Sequence, residues 1–544
     1  MKRLLLIPVL LISFQFILSA QNTIQTTAEK SNYESTSAYN EVIQFITNLE
    51  ESSDLLKIES LATSAEGRKI PLMIIADPLP ANYKDIKSDQ RVVVYLQANI
   101  HAGEVEGKEA TQMLARELLN GKLPKDILKN VIVLICPILN PDGNEKFSLK
   151  NRTNQVGPVN GVGVRHNGQY LDLNRDAMKL ETPEIRGVVT EIFNKWDPAI
   201  TVDCHTTNGS YHEEPITFTW QMNPNGDRTL INYMRDRMMP SVHRTLWDKY
   251  DVENVFYGEF LDRANIDTAW SSYACEPRYL VNYVGVRNRL AILNENYVYA
   301  DFETRVNGSY HLLLTILEYA AENKDAIKEM LNNADQRLIN RESTIGIADS
   351  FAIEYEGVPT PEKITIKAIE ADTIPGMKGY WRYKQSDRKR TVTVDYIADY
   401  FATKNIKMPY AYIFSVPDQE VLELFGAHGI QVEKLDEKIV TNVEQFNISE
   451  LKATSRPYQG HYMNTMDGEF EIVEKEFDSG TYVIKTAQPL GNLAAYLFEP
   501  MSDDGLIRWN FLDQYLVPQW GRGFYPYPVY RLMENISIKS SIVE

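Results

Sequence analysis

The feature that most constrains the fold is an alternation of valine- and isoleucine-rich runs with helical periods between about residues 35 and 323. The predicted strands are Lys69–Ile75, Val92–Ile100, Val131–Leu139, Ile200–Cys204 and Leu290–Leu293, and the predicted helices are Glu106–Leu119, Pro183–Trp196, Leu230–Leu246 and Ser309–Glu322. Strands that are apolar along their whole length are buried on both faces, and the intervening helices supply the cover. The pattern therefore predicts an α/β fold with a mostly parallel or mixed central sheet and helices on both faces.

A second region follows, because a chain of 544 residues exceeds what one hydrophobic core usually organises. We interpret residues 324–363 as a helical segment and a linker, since 354–363 is acidic and contains prolines. Short β-like pieces at 364–368, 390–394, 410–414, 469–473 and 480–485, with one helix at 418–428, predict that residues 364–544 form a β-rich α+β domain of unknown function. We interpret its two isolated histidines, His428 and His461, as structural.

The first twenty residues predict export to the periplasm or the extracellular space. Lys2 and Arg3 precede an apolar stretch that ends in the small residues Ser19 and Ala20, an order typical of a secretory signal peptide spanning residues 1–20. After its removal we expect no association with a membrane. The net charge of −18 argues against nucleic acid as a partner. Three cysteines do not make a disulfide scaffold, although one bridge of unknown pairing stays open.

The strongest chemical signal stands directly after the second predicted strand, where His101 and Glu104 follow Val92–Ile100. An imidazole and a carboxylate at this spacing can close on one metal ion, and a catalytic zinc commonly takes two histidines, one carboxylate and a water. The third ligand is expected at another strand end, where His205 stands. Other histidines compete for that position: His166, His212, His243 and His311. We therefore predict one Zn²⁺ ion per chain, bound by His101, Glu104 and His205.

This arrangement resembles the zinc carboxypeptidase (carboxypeptidase A-like) family, in a secreted bacterial form with a large C-terminal extension. The resemblance covers roughly Tyr39 to Asn323 and includes the Glu66-Gly-Arg68 turn before a predicted strand. It places the catalytic domain at residues 35–323. It implies a zinc-dependent metallopeptidase that hydrolyses the C-terminal peptide bond of peptides or proteins.

The resemblance also implies roles for residues in the segments that follow the strand Val131–Leu139. Asp142, in the segment Asn140-Pro-Asp-Gly143, is expected to orient His101. Asn174 and Arg175 are expected to hold the terminal carboxylate of the substrate, for which arginine offers a rigid two-pronged donor. An upstream arginine is expected to stabilise the oxyanion of the transition state; we choose Arg152, with Arg165 as the alternative.

A carboxylate beside the metal is needed as general base, and Glu295 stands just beyond the strand Leu290–Leu293. Glu303 is the rival, but it falls well beyond the strand end. A tyrosine usually closes over the substrate in this family, and four are near: Tyr273, Tyr279, Tyr283 and Tyr297. The residue that sets side-chain preference is expected between positions 273 and 286.

Two alternative functions stay open. The first is a zinc-dependent deacylase or amidase on the same scaffold, which would act on N-acyl amino acids or cell-wall peptides, because Arg175 would bind the carboxylate of either substrate class. The second is a catalytically inactive relative that binds peptides. Loss of Glu295 or of a metal ligand would favour the second, and these residues are present.

Overall fold

The structure is a computed structural model that describes residues 24–124, 126–341, 349–416 and 418–543, and of Tyr380 and Trp381 the backbone only. The predicted signal peptide lies outside these residues. Within the described ranges, no helix combines the length and the apolar character needed to cross a membrane.

The first half of the chain is organised around an eight-stranded sheet. Its strands, numbered in chain order, are β1 (Leu56–Thr63), β2 (Lys69–Ile75), β3 (Val92–Ala98), β4 (Val131–Cys136), β5 (Ile200–Thr207), β6 (Ile216–Trp220), β7 (Asn254–Phe256) and β10 (Leu290–Tyr297). They lie in the order β1-β2-β4-β3-β5-β10-β6-β7. The central strands β4, β3, β5 and β10 are parallel, whereas β1 with β2, β2 with β4, and β10 with β6 are antiparallel. The predicted mixed sheet is confirmed.

Helices cover both faces of this sheet. They are α1 (Thr27–Lys30), α2 (Tyr39–Ser52), α3 (Glu106–Leu119), α4 (Asp126–Asn130), α5 (Pro141–Asn144), α6 (Pro183–Gly187), α7 (Arg228–Tyr233), α8 (Met239–Tyr250), α9 (Leu280–Val286) and α10 (Phe302–Ile339). Side chains of a strand alternate between faces: Val92 and Val94 of β3 join the core with α3 and α10, while Val93 and Tyr95 join the core with α6 and α9. The predicted helices 183–196 and 230–246 each contain a π-helical turn, Val188–Phe193 and Met234–Met238.

The second half is rich in antiparallel strands. Its elements are β11 (Ser350–Pro359), β12 (Ile364–Thr373), β13 (Tyr383–Val394), β14 (Tyr396–Lys407), β15 (Ala411–Phe414), α11 (Gln419–His428), β16 (Glu433–Leu435), β17 (Ile439–Ala453), β18 (Asn464–Phe477), β19 (Tyr482–Lys485), α12 (Gly491–Phe498), β20 (Val529–Leu532) and β21 (Ser540–Ile542). Short 3-10 turns lie at Tyr83–Lys87, Leu173–Arg175, Gly379–Arg382 and Asp513–Tyr515. A seven-stranded sheet runs β18-β17-β20-β15-β19-β16-β21, and β12 pairs with β13. The predicted β-rich C-terminal region is confirmed.

The two halves share a sheet and a core. Two short strands of the first half, β8 (Glu259–Phe260) and β9 (Trp270–Ser271), join β14 and β11 in the order β11-β14-β9-β8. One apolar core contains residues of α6 and α9 together with residues of α11 and α12. The division of the chain into domains at residues 323 and 363 stays a prediction.

The segment 354–363, predicted as a linker, is corrected in part. Residues up to Pro359 belong to β11, which pairs with β14. The acidic residues that suggested a linker, Glu354 and Glu356, are exposed along this strand, while Tyr355 between them is partly buried and its hydroxyl contacts Tyr496 and Asp503. An exposed acidic face on a paired strand looks like a linker in sequence, because strand pairing is not visible there.

Candidate active site

Neighbouring strands of the central sheet bring the predicted metal ligands together. Ala98 at the end of β3 pairs with Cys204 of β5, so the loop after β3 stands beside His205. His101, Glu104 and His205 are buried, and one ligand atom from each lies within 4.8 Å of the others. In the parallel register of β5 and β10, Glu295 lies opposite His205. The sheet itself therefore sets the spacing between these four side chains.

The imidazole rings of His101 and His205 face each other through their Nδ1 atoms. Nδ1 of His205 lies 3.1 Å from Nδ1 of His101, and each of these nitrogens lies 3.1 Å from a carboxylate oxygen of Glu104. On the opposite side of each ring, Nε2 of His101 lies 2.9 Å from Asp172 Oδ1, and Nε2 of His205 lies 2.8 Å from Asp203 Oδ2. A neutral imidazole has one N–H, which these carboxylates place on Nε2. Both Nδ1 lone pairs then converge with Glu104, a donor set that fits a cation.

The expected partner of His101 is corrected by this geometry. The carboxylate of Asp142 accepts hydrogen bonds from Ser64 Oγ (2.7 Å), the Glu66 amide (2.8 Å) and Arg68 Nη1 (2.8 Å). Asp142 thus anchors the turn before β2, and Asp172 contacts His101 instead. The sequence carried a usable signal, because Asp172 stands two residues before Asn174 on the loop that reaches the site.

The charges of the side chains around His101 and His205 favour a bound cation. Burial disfavours charge on Glu104, but His101 and Arg152 outweigh it and hold the pKa of Glu104 well below its usual range. Burial acts likewise on Asp172, and His101 and Arg165 outweigh it, so the pKa of Asp172 is also lowered. Three carboxylates, with Asp203 beside His205, therefore surround the two histidines. This excess of negative charge again fits a bound cation.

Glu295 differs from these carboxylates. Burial raises the pKa of Glu295 to about 8, since the favourable interaction with His205 is weaker than the cost of desolvation and Glu104 repels a second negative charge. A buried carboxyl with a pKa near neutrality can both accept and return a proton. Its rival, Glu303, lies exposed in the first turn of α10 and does not line the same cavity.

Both candidate arginines reach the site. Arg152 Nη1 lies 3.1 Å from Glu104 Oε1, and Arg152 also donates from Nη2 to the Thr206 carbonyl at 3.1 Å. Arg165 donates from Nε to Asp172 at 2.9 Å, and its Nη1 lies 3.6 Å from Glu104. Gly103 allows this approach, because a Cβ there would lie 2.5 Å from the Arg152 side chain. The geometry does not separate the two candidates.

Asn174 and Arg175 lie on the same wall. Asn174 Oδ1 accepts a hydrogen bond from the Leu280 amide at 3.0 Å, which fixes the loop against α9. Arg175 stacks over the Tyr279 ring at 4.4 Å and donates from Nη1 to the Asn174 carbonyl at 2.6 Å. Its Nε donates to the hydroxyl of Tyr458 at 2.7 Å, a residue 283 positions further along the chain. Nothing in the local sequence around Tyr458 indicated this contact.

These residues enclose one cavity of about 730 Å³. Its wall includes His101, Glu104, His205, Glu295, Arg152, Arg165, Asn174, Arg175, Ala274, Val281 and Leu293. Of the four tyrosine candidates, Tyr273 and Tyr279 line the cavity, together with Tyr257, which sequence reasoning missed. Tyr283 is buried against His428, and Tyr297 stacks on His212 at 3.8 Å.

The competing histidines do not join the metal ligands. His166 stacks on Tyr170, and His212 stacks on Tyr297. His243 contacts Asn254, and His311 contacts the Asn307 carbonyl. The cysteines Cys136, Cys204 and Cys275 are all buried and free. Among the described residues, the only group of three or more potential metal ligands is His101, Glu104 and His205.

Fold and site define a class: an α/β protein whose central sheet presents two histidines and two glutamates to one cavity, as a metal-dependent hydrolase requires. The family model described as zinc carboxypeptidase matches residues 42–220, which confirms the resemblance drawn from the sequence and, with it, the assignment to the hydrolases. The match covers the segment that contains His101, Glu104 and His205.

Relatives span more of the chain. Carboxypeptidase 2 of Trichophyton rubrum is 22% identical over 483 residues, which cover 83% of this chain and 80% of that protein. Carboxypeptidase B of Helicoverpa zea is 25% identical over 158 residues, 28% of this chain and 35% of that protein. Among solved structures, a metallo-carboxypeptidase from Burkholderia cenocepacia is 16% identical with a TM-score of 0.40, covering 53% of this chain and 70% of that one.

Proposed function

We propose that this chain is a zinc-dependent carboxypeptidase that hydrolyses the C-terminal peptide bond of peptides or proteins. The observation that carries the proposal is the convergence of two imidazole Nδ1 atoms and Glu104 in a cavity that also contains Glu295 and Arg175. The two Nδ1 atoms and Glu104 suit a zinc ion. Glu295 suits proton transfer, and Arg175 suits the binding of a carboxylate.

His101, Glu104 and His205 would hold one zinc ion per chain, and Asp172 and Asp203 would keep both imidazoles in the orientation that presents Nδ1. When bound, zinc supplies a Lewis acid that lowers the pKa of a water from about 15.7 toward about 7 and polarises a carbonyl.

Glu295 accepts the proton of the attacking water and returns it to the nitrogen of the leaving amino acid. Such general acid–base catalysis typically contributes about 10²–10⁴-fold in rate. The pKa of Glu295, raised by burial to about 8, supports this role, because a group that titrates near neutrality can both accept and give up a proton.

Arginine side chains act at both ends of the scissile residue. Arg152 donates hydrogen bonds to the negative charge that develops on the carbonyl oxygen, and Arg165 is the alternative donor. Arg175 binds the terminal carboxylate of the substrate with two hydrogen bonds. Asn174, which lines the same cavity, assists it through its amide N–H groups.

We further propose that the protein acts outside the cytoplasm, in the periplasm or the extracellular space. The charged start, apolar run and small residues of positions 1–20 support export. Peptide and protein C-termini, including cell-wall peptides as one source, are then the accessible substrates.

The test is activity of the purified, zinc-loaded protein on a mixed peptide library, read by mass spectrometry beside a Glu295→Gln control. We expect single residues to be lost from C-termini with the native protein and not with the control. The identity of the released residues reports the side-chain preference.

Two other outcomes would reject the carboxypeptidase assignment. If peptides stay intact although zinc is bound, and N-acyl amino acids or cell-wall peptides are cleaved, the protein is a deacylase or amidase. If no substrate of either class is cleaved but peptides bind, the protein is a binding relative.

A further inference from the structure

A hairpin of the C-terminal half contacts residues of the candidate site from outside the cavity. Strands β17 and β18 extend to a tip, here residues 454–463, which is closed by a hydrogen bond from the Thr454 amide to the Met463 carbonyl at 3.0 Å. Two side chains of the hairpin tip contact the loop Asp172–Arg175. Tyr458 accepts from Arg175 Nε at 2.7 Å, and Gln459 Oε1 accepts from the Asp172 amide at 2.8 Å.

The turn at the end of the hairpin tip contains a residue that is unfavourable for its backbone conformation but makes a contact with the Asp172–Arg175 loop. Tyr458 and His461 exchange both backbone hydrogen bonds, at 2.7 and 3.0 Å, so two residues form the turn. Gln459 has φ +51° and Gly460 has φ +84°. A two-residue turn with two positive φ angles strongly prefers Asn, Asp or Gly at its first position. Glutamine is unfavourable there, but its longer side chain is what reaches the Asp172 amide.

The hairpin tip is fixed to both halves of the chain. His461 Nε2 lies 2.7 Å from Glu181 Oε1 of the first half, and its Nδ1 lies 3.1 Å from Asn510 Oδ1 of the second half. Tyr458 stacks near Trp509, with ring centroids 6.4 Å apart. A tip held at several points can hold Arg175 in a defined orientation.

The contact with Tyr458 decides which edge of the Arg175 guanidinium is left for a ligand. A guanidinium can bind a carboxylate through Nε and Nη2, or end-on through Nη1 and Nη2. Tyr458 occupies Nε, and the Asn174 carbonyl takes one of the two hydrogens on Nη1. The Tyr279 ring covers one face at 4.4 Å. Nη1 also lies 3.9 Å from Asp172 Oδ2, which is beyond hydrogen-bond distance. The groups left for a ligand are the second hydrogen of Nη1 and the hydrogens of Nη2, which together form the end-on pair.

We propose that Tyr458 and Gln459 are positioning residues for the substrate carboxylate: the hairpin tip holds Arg175 so that it binds the carboxylate end-on. This inference rests on the proposed function, in which Arg175 binds the terminal carboxylate. It gives the C-terminal half, which contributes none of the three proposed metal ligands, a part in recognising the substrate.

The experiment measures binding, so it does not depend on turnover. In the zinc-loaded Glu295→Gln protein, we would measure Kd by calorimetry for one tetrapeptide with a free C-terminal carboxylate and for the same peptide as its C-terminal amide. We expect the free acid to bind more tightly. In Glu295→Gln combined with Tyr458→Phe, the preference for the acid should fall about tenfold, since a hydrogen bond to a charged group typically changes an equilibrium by that order.

Tyr462→Phe is the matched control, because Tyr462 lies on the same hairpin tip with its side chain 54% exposed. It should leave the preference unchanged. A merely structural role of Tyr458 would weaken acid and amide equally. If Tyr458→Phe leaves the preference for the acid over the amide unchanged, the positioning role of Tyr458 is wrong, but the carboxylate role of Arg175 stands. If the Glu295→Gln protein with its native hairpin tip shows no preference for the acid, both roles are wrong.

The substitution Gln459→Gly removes the contact with the Asp172 amide without destabilising the turn. Glycine suits the positive φ, so the melting temperature should not fall, yet the contact with the Asp172 amide is lost. In the otherwise native enzyme we expect KM for peptides to rise several-fold with kcat changed less than about twofold. A KM equal to that of the native protein would show that Gln459 does not position the loop.

Discussion

The metal end and the carboxylate end of the cavity are built by different means. At the proposed metal end, His205 and Glu295 lie opposite each other on adjacent strands, and the carboxylates of Asp172 and Asp203 contact the histidine rings. At the proposed carboxylate end, Arg175 lies on a loop and donates a hydrogen bond to Tyr458, 283 residues further along the chain. The three predicted metal ligands and Glu295 all belong to the first half of the chain, whereas Arg175 at the second end is hydrogen-bonded to a residue of each half. Substitutions at the proposed metal end should therefore change kcat or zinc affinity, and substitutions at the proposed carboxylate end should change KM.

The largest effect is expected at the metal end. Glu295→Gln should lower kcat by about 10²–10⁴-fold, because the amide cannot accept the proton of water. Zinc content and melting temperature should stay close to native, since Glu295 is not among the three converging metal ligands. Stopped assays of peptide hydrolysis and metal analysis of the same preparation measure both. Near-native kcat in this variant would remove Glu295 from the chemistry.

The next effect distinguishes the two aspartates near His101. Asp172→Asn should weaken zinc binding by about 10–100-fold, since loss of a carboxylate that orients a histidine ligand has that effect. Asp142→Asn is the matched control and should leave zinc affinity unchanged while lowering stability, because Asp142 contacts Ser64 and Arg68. Competition with a chromophoric chelator gives both affinities. The opposite ranking of the two variants would refute the placement of Asp172.

At the carboxylate end, Arg175→Lys should raise KM about tenfold with little change in kcat. Lysine keeps the charge but loses the planar pair of donors that matches a carboxylate. Initial rates over a range of peptide concentrations separate the two constants. A large fall in kcat with native KM would place Arg175 in the chemical step and would erase the contrast between the two ends.

The smallest effect is a pH dependence at the contact between the halves. His428 is buried, accepts from the Tyr283 hydroxyl at 2.7 Å and donates to the Met178 carbonyl at 3.1 Å. Burial lowers the pKa of His428 from 6.5 to about 3. Below pH 6.5 the unfolded chain binds a proton that the folded chain does not, so His428 should make stability fall by about 2 kcal/mol between pH 7 and pH 5.

His428→Gln removes this titration, so its stability should depend less on pH over the same interval. Denaturant unfolding at pH 7 and pH 5 gives the two differences. Parallel pH profiles for the native protein and the variant would show that His428 is not kept neutral in the folded state.

Much of the metal end could be predicted from sequence, because strand ends place side chains by rules that are local. His101, Glu104 and His205 follow apolar runs directly, and the structure brings them together. The partner of His101 was predicted wrongly, since Asp142 and Asp172 both lie between β4 and β5 and the sequence does not show which carboxylate turns toward the ring. The role of Tyr458 could not be predicted, because contacts between distant segments leave no periodicity in the chain.

The predicted metal ligands and Tyr458 are far apart in the chain, so they are synthesised at different times. Ribosomes make proteins from the N-terminus, so all three metal ligands of the nascent chain exist long before Tyr458 is made. If the hairpin tip holds Arg175 as proposed, an incomplete chain that lacks the tip cannot yet hold Arg175 for a substrate. Substrate recognition then depends on a segment that is made after every predicted metal ligand.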